Sequence, residues 1–381
     1  MEASVRENSA VLPQPYDSDP KRFGKVALVH DYLMQDGGAE RVLGELQKMF
    51  PDAPTYTLLY DRDHAQARNR QIIPSIMDRW PGARRFYQWY MPLMPMAVEH
   101  MDFSGYDLVI SSSSSFAKGI IVPPETRHVC YCHTPTRFLW QERIGYINDL
   151  RQPRFLRLML PPLLHRLRLW DRLAAERPSH LLTNSATSRE RIRRYYNRDA
   201  HVIFPPVEIS RVQVGTAPGK FWLAGGRLVG YKRFDLVVKA FAKLRLPLKI
   251  FGVGPEYRKL KSLAAPETEF LGYVTDEKKK ELYTQAIGYL YPQIEDFGIT
   301  AVEAMAAGRP VIAYGKGGGA ETVIDGVTGK HIQGQAWEDI ADAVVRFKAE
   351  DYDGSKIRRR AEEFSEENFR QQFLRYLDFV T

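Results

Sequence analysis

Cysteine is nearly absent, with two in 381 residues, Cys130 and Cys132. Alternate residues on a strand point the same way, and such a pair rarely closes a disulfide. A disulfide scaffold is excluded, and a reduced, cytoplasmic setting fits. A metal site built on both cysteines and His133 would need a fourth ligand that the neighbourhood does not offer, so no metal is expected. No apolar run approaches the roughly 18 residues of a membrane span. Residues 1–20 are polar and lack the apolar core of a signal peptide, so they read as a disordered lead-in. No Gly-x-Ser-x-Gly elbow occurs, and no Gly-x-Gly-x-x-Gly follows the first strand-like run. Those two absences remove a serine hydrolase of the α/β type and a nicotinamide enzyme.

What is present is a chain long enough for two domains, with 44% hydrophobic and 26% charged residues, the balance of a soluble globular protein. Apolar strand-like runs alternate with helix-periodic segments. Lys25–His30 is the first such run; Asp31–Gly38 reads as loop and Ala39–Phe50 as helix. Further strands are expected at 55–59, 106–110, 129–132 and 180–183, a helix at 155–177 interrupted by Pro161-Pro162, and another at 185–196. Pro205-Pro206-Val207 marks a boundary, followed by a linker to Gly219 and a second alternation from Phe221. Such alternation means parallel sheets, doubly wound: an α/β fold of two Rossmann-like halves facing a cleft. The expected division is residues 21–208, residues 209–360 and a C-terminal helix in 361–381.

The net charge of +8 is uneven. Arg79, Arg84 and Arg85 lie among Trp80, Phe86, Tyr87, Trp89 and Tyr90; Arg137, Arg143, Arg151, Arg154, Arg157, Arg166, Arg168 and Arg172 crowd a second region rich in leucine. Basic residues mixed with aromatics suit an anionic membrane surface. The bland alternative is a core with a solvated basic rim, and nucleic acid is not expected.

The stretch Ile294–Met305 holds two carboxylates, Glu295 and Glu303, seven residues apart. Glu295 falls on a strand-to-helix loop, and Glu303 about a turn and a half into the helix. The amides of Phe297, Gly298, Ile299 and Thr300 crown that helix, where the dipole and unpaired N–H groups favour an anion. Two carboxylates beside an anion site suit a ligand joining sugar hydroxyls to phosphate. Gly225-Gly226-Arg227-Leu228 and Lys232 follow a strand in the same half; an arginine fork and a lysine point charge both bind phosphate oxygens.

Together with Gly308-Arg309-Pro310, Gly317–Glu321 and Gly37-Gly38-Ala39-Glu40, this set resembles the Glu-x7-Glu signature of family 4 glycosyltransferases, retaining enzymes of the GT-B fold. The resemblance runs over nearly the whole chain from about Lys25. It implies that Arg227 and Lys232 neutralise the donor diphosphate, that Glu303 holds the ribose, and that Glu295 meets hydroxyls of the transferred sugar. It implies further that Gly37 and Gly38 face the donor from the other half, that Tyr273 and Val274 lie by the nucleobase, and that His133 contacts the donor sugar or helps to shape its pocket. Asp31, Ser115 and Lys118 are candidates for the acceptor side. Asp296 stands where many relatives carry a small residue or glycine, and its role is open. Similarity to bacterial mannosyltransferases of surface polysaccharide assembly implies GDP-mannose as donor and a lipid-linked oligosaccharide as acceptor. The enzyme would then sit peripherally on the inner face of the cytoplasmic membrane, with no metal and no cofactor. A UDP-sugar donor, a sugar-nucleotide epimerase and a non-catalytic sugar-nucleotide binder are the alternatives.

Overall fold

The computed structural model describes residues 19–34, 37–141, 154–215 and 219–381, with residues 154–159 described as helix backbone only. The expected lead-in therefore lies, up to residue 18, outside the described residues. So do Arg143 and Arg151, the side chains of Arg154 and Arg157, and residues 216–218 of the linker.

Seven strands form the first sheet: β1 (Val26–Leu33), β2 (Thr55–Tyr60), β3 (Ile72–Pro74), β4 (Leu108–Ser113), β5 (Arg127–Cys132), β6 (His180–Thr183) and β7 (His201–Val202). Their order is β3-β2-β1-β4-β5-β6-β7, and every pairing is parallel. Six strands form the second: β8 (Phe221–Gly225), β9 (Leu248–Phe251), β10 (Thr268–Gly272), β11 (Ala286–Tyr291), β12 (Val311–Tyr314) and β13 (Gly329–Ile332). Their order is β10-β9-β8-β11-β12-β13, again parallel throughout. Helices cover both faces of each sheet, which is why β1, β4, β8 and β11 open on apolar runs. In each sheet the order reverses beside the first strand, at β1/β4 and at β8/β11. Ligands of such sheets sit at the strand carboxyl ends at that switch point. Gly37 follows β1, His133 follows β5, Gly226 follows β8 and Glu295 follows β11, so the expected site residues fall at these ends. This is the GT-B arrangement.

Three expectations about elements need correction. β1 runs through Asp31 to Leu33 and β4 through Ser113, so Asp31 and Ser111–Ser113 are strand, not loop. The helix Arg154–Ala174 continues through Pro161 and Pro162. An interior proline costs about 3 kcal/mol in an isolated helix; here buried Leu164 and Leu167, packed with Met94, Phe116 and Ala117, offset it. The C-terminal helix starts later than expected, as Glu366–Val380, and a separate helix, Gly354–Glu362, precedes it. The Ser365 hydroxyl accepts from Asn368 N–H and caps the C-terminal helix, which sets its start. That C-terminal helix packs Phe369, Phe373, Leu374 and Leu377 against Leu28, Ile110, Val129 and Leu182 of the first sheet.

Candidate active site

In the second half, Lys232 sits in the single turn Gly230–Lys232. Its Nζ lies 2.9 Å from Glu295 Oε1, and the Tyr291 hydroxyl donates to Glu295 Oε2 at 2.8 Å. Burial pushes the Glu295 carboxyl up, but Lys232, the Tyr291 hydroxyl and Arg137 outweigh it and hold the group below the ordinary carboxylate range. Arg227 stands exposed at the same strand end. Gly298 caps the helix Ile299–Ala306 at φ 98°, a conformation glycine adopts without strain; a side chain there would also start 2.7 Å from the Tyr291 hydroxyl. The Phe297 ring is buried and packs on Phe204 and Phe364. A side chain at Gly318 would collide with the Phe297 carbonyl, and Gly318 N–H donates to the Glu295 carbonyl at 2.8 Å. These contacts fix the Glu295 loop.

Glu303 is 6% exposed. It accepts from Arg41 at 2.8 Å, Lys279 at 3.2 Å and the Tyr283 hydroxyl at 3.0 Å. Burial pushes its carboxyl up, and Arg41 and Lys279 more than reverse that. Arg41 belongs to the helix Gly38–Met49 of the first half. A cavity of about 210 Å³ opens beside this cluster, lined by Arg41, Lys279, Tyr283 and Glu303 among others. Across the cleft, a side chain at Gly38 would start 2.8 Å from Ile299 Cδ1. The glycine turn and the helix crown therefore face each other. Tyr273 is exposed on the loop after β10, and Val274 is half-buried beside it.

The first half rewrites the acceptor-side expectations. Asp31 is 3% exposed. Its carboxylate accepts four backbone N–H groups, those of Ser114, Ser115, Phe116 and Ala117, at 2.6–2.9 Å. Lys118 is 1% exposed and pairs with Asp171 at 2.6 Å; Asp171 also takes Thr136, Trp140 and Tyr196. Ser115 is tied by its backbone to both groups. A buried charge needs this many partners. Asp31 and Lys118 thus build the loop behind the site and offer no free polar atom to an acceptor. His133 is buried at the end of β5, its Nε2 2.9 Å from Ser112 Oγ. Ser112 Oγ lies 3.1 Å from His30 Nδ1, and His30 Nε2 lies 3.7 Å from Glu40 Oε1. Burial, then His30, pull the His133 pKa down to about 3.

Sequence reasoning missed a seam between the halves. Asp296 pairs with Arg137 and Arg191. Glu321 accepts from Ala186 N–H at 2.7 Å and Thr187 N–H at 2.8 Å, capping from the second half a helix of the first, Ala186–Tyr196. Asp296 was flagged only by its departure from the family pattern, and Glu321 only as a motif residue. Their partners lie more than a hundred residues away, where no local pattern reaches. Among the described residues no group of three or more His, Cys, Asp or Glu side chains is placed to hold a metal ion.

Residues 36–211 match the model Glycosyltransferase Family 4, and residues 208–367 match Glycosyl transferases group 1. An alpha-1,3/1,6-mannosyltransferase of Dictyostelium discoideum is 48% identical over 16% of this chain and 14% of its own length. A GDP-mannose-dependent alpha-(1-6)-phosphatidylinositol monomannoside mannosyltransferase of Mycobacterium tuberculosis is 33% identical over 36% of this chain and 40% of its own. The aligned stretch thus spans under half of either enzyme. The solved Anabaena HepE, in complex with UDP and glucose, superposes with a TM-score of 0.65 at 18% identity, covering 93% of this chain and 99% of that one; this likeness establishes the fold. The two family models meet at the boundary between the sheets and run from residue 36 to residue 367, and on that match the chain belongs to the family 4 glycosyltransferases.

Proposed function

We propose that this glycosyltransferase moves a hexose with retention of configuration, using mannose from GDP-mannose and a lipid-linked glycan as acceptor in surface polysaccharide assembly. The observation that carries the reading is Lys232 and Glu295 held 2.9 Å apart beside the amides of the helix Ile299–Ala306. Departure of a nucleoside diphosphate builds negative charge. Arg227, Lys232 and the helix crown would stabilise it electrostatically without a metal. Glu295, kept ionised by its neighbours, would accept hydroxyls of the transferred sugar, and Glu303 those of the ribose. The acceptor would attack from the face that the leaving group vacates, and the departing phosphate would take its proton.

Mannose rests on the two mannosyltransferase relatives and guanine on the second of them, not on a residue that reads either group. The lipid acceptor rests on surface chemistry. Phe86, Trp89, Leu93 and Met96 are exposed near the exposed Arg79 and Arg85, and Leu169 and Leu173 are exposed on a helix that also carries Arg166 and Arg172. Apolar side chains with a basic surround suit an anionic leaflet. No helix among the described residues is long and apolar enough to cross a membrane, so contact would be peripheral.

The test is nucleotide release from a panel of GDP- and UDP-sugars, with chelator present, for the wild type and Lys232→Ala. GDP release from GDP-mannose, lost in the variant, is the expected result. Release only from a UDP-sugar would replace the donor and keep the site. Flotation with anionic liposomes, weakened by salt, is expected for the surface; salt-insensitive absence from the floated fraction would leave those residues as a rim.

A further inference from the structure

His133 stands at the head of a chain of four polar side chains: His133, Ser112, His30 and Glu40. All four are buried, at 7%, 0%, 2% and 6% exposure. They come from four elements: the end of β5, the strands β4 and β1, and the first turn of the helix Gly38–Met49. The chain has a direction, set by its far end. A carboxylate oxygen accepts hydrogen bonds, and Glu40, in a helix first turn, sits at the positive end of the dipole. A His30 ring with one proton turns its Nε2–H to Glu40, across 3.7 Å, an electrostatic orientation rather than a full hydrogen bond. Its Nδ1 is then a lone pair, and the Ser112 hydroxyl donates to it at 3.1 Å. The Ser112 oxygen is then free to accept, and His133 donates Nε2–H to it at 2.9 Å. The opposite polarity would aim a His30 lone pair at the carboxylate. The proton on one ring nitrogen of a histidine is set by the bond that the other nitrogen makes, so the His133 tautomer is decided at Glu40.

We infer that Glu40, His30 and Ser112 are positioning residues that lock His133 as the Nε2–H tautomer, so that its Nδ1 lone pair accepts a hydrogen bond from a sugar hydroxyl in the cleft. Nδ1 has no partner among the described residues, and the residue follows the carboxyl end of β5, where the fold places ligands. The ring stays neutral at physiological pH because of its burial, so it acts there as an acceptor and not as a cation. This deepens the proposed transferase reading for the sugar, whereas the tautomer lock belongs to the chain whatever its substrate.

Two readouts keep these apart. The first is ¹⁵N NMR of the imidazole rings at pH 7.5 in the protein without ligand, with the His133 signal assigned by its loss in His133→Gln. The wild type is expected to show one tautomer, Nε2–H. Ser112→Ala, which cuts the chain, and Glu40→Gln, whose amide can donate and so permits the reverse polarity, are expected to shift the signal toward a mixture. Ser112→Thr keeps a hydroxyl and is expected to restore the wild-type tautomer. An Nδ1–H tautomer in the wild type, or an unchanged tautomer in both Ser112→Ala and Glu40→Gln, overturns the lock. The second readout is kcat/KM with the sugar nucleotide that the release panel selects, in variants whose melting temperatures match the wild type. A fall of about tenfold in Ser112→Ala with recovery in Ser112→Thr is expected, the scale of one hydrogen bond. A shifted tautomer with unchanged kcat/KM overturns the hydroxyl contact alone. A panel without turnover would fail the transferase reading while the NMR still decides the lock.

Discussion

Asp31 shows how strongly context governs a single side chain. On its own it reads as a carboxylate at a strand end, ready for a substrate, yet four backbone N–H groups occupy both its oxygens. Histidines behave in the same way. His128 and His133 are buried and hydrogen-bonded to serines, and burial above all pulls each pKa down to about 3 from 6.5. Between those values the unfolded chain binds a proton on each ring and the native protein does not. The stabilisation is therefore complete above pH 6.5 and is lost as pH falls, by about 2 kcal/mol for each ring at pH 5. His128, remote from the cleft, gives the clean check. His128→Leu is expected to lower stability at pH 7.5 and to flatten its decline between pH 7 and pH 5. Urea midpoints that fall in parallel for variant and wild type would show that the ring does not titrate on unfolding.

At the scale of elements, the chain's last helix, Glu366–Val380, is a structural member of the first half. Phe373 is 0% exposed there, 6.5 Å from Tyr131 and 5.5 Å from Phe369 by ring centroids. Phe373→Ala leaves a cavity that both rings line, and the loss is expected to be about 3–5 kcal/mol. Phe379→Ala, at 86% exposure, is expected to change little; equal melting temperatures for the two variants would mean that the helix does not dock. Elements like the strand Phe221–Gly225 were legible because a buried parallel strand is an apolar run with no other home. β3, β7 and β13 were not. They are edge strands of three, two and four residues, and Ile72–Pro74 ends in proline while Gly329–Ile332 is half polar. Edge strands lack the two buried faces that write a pattern into sequence. The candidate site divides on the same line. Lys232, Glu295 and Gly298 lie within one half and announce themselves by local spacing beside strand ends. Arg41, Arg137 and Arg191 reach it from the other half, and their pairing is a property of the assembled cleft.

Across the whole molecule, the two halves are joined where the chain crosses twice. Val207 N–H donates to the Phe364 carbonyl at 2.9 Å, and Val207 pairs with Ser365 in a single bridge, so the outward and return crossings lie side by side. A paired crossing permits rotation while limiting separation. The cleft face is closed by charge of one sense: acids of the second half, Asp296, Glu303 and Glu321, meet bases or helix amides of the first. Asp296 is the centre of this seam, buried at 7% exposure with an arginine on each oxygen. Asp296→Asn keeps the shape and removes the charge. Arg137 and Arg191 have side chains 31% and 20% exposed, so both regain water readily when the cleft opens. Charge-assisted hydrogen bonds contribute about 1.5–3 kcal/mol each, enough to move a closed equilibrium by tenfold or more. The variant is expected to open, with a larger radius of gyration in small-angle scattering and a KM for the sugar nucleotide about tenfold higher. On the proposed function, a donor held from both halves supplies the lost attraction, and saturating nucleotide is expected to return the radius toward that of the wild type. An unchanged radius and KM would mean that the remaining contacts, Arg41 with Glu303 and the Glu321 cap, hold the halves together without Asp296.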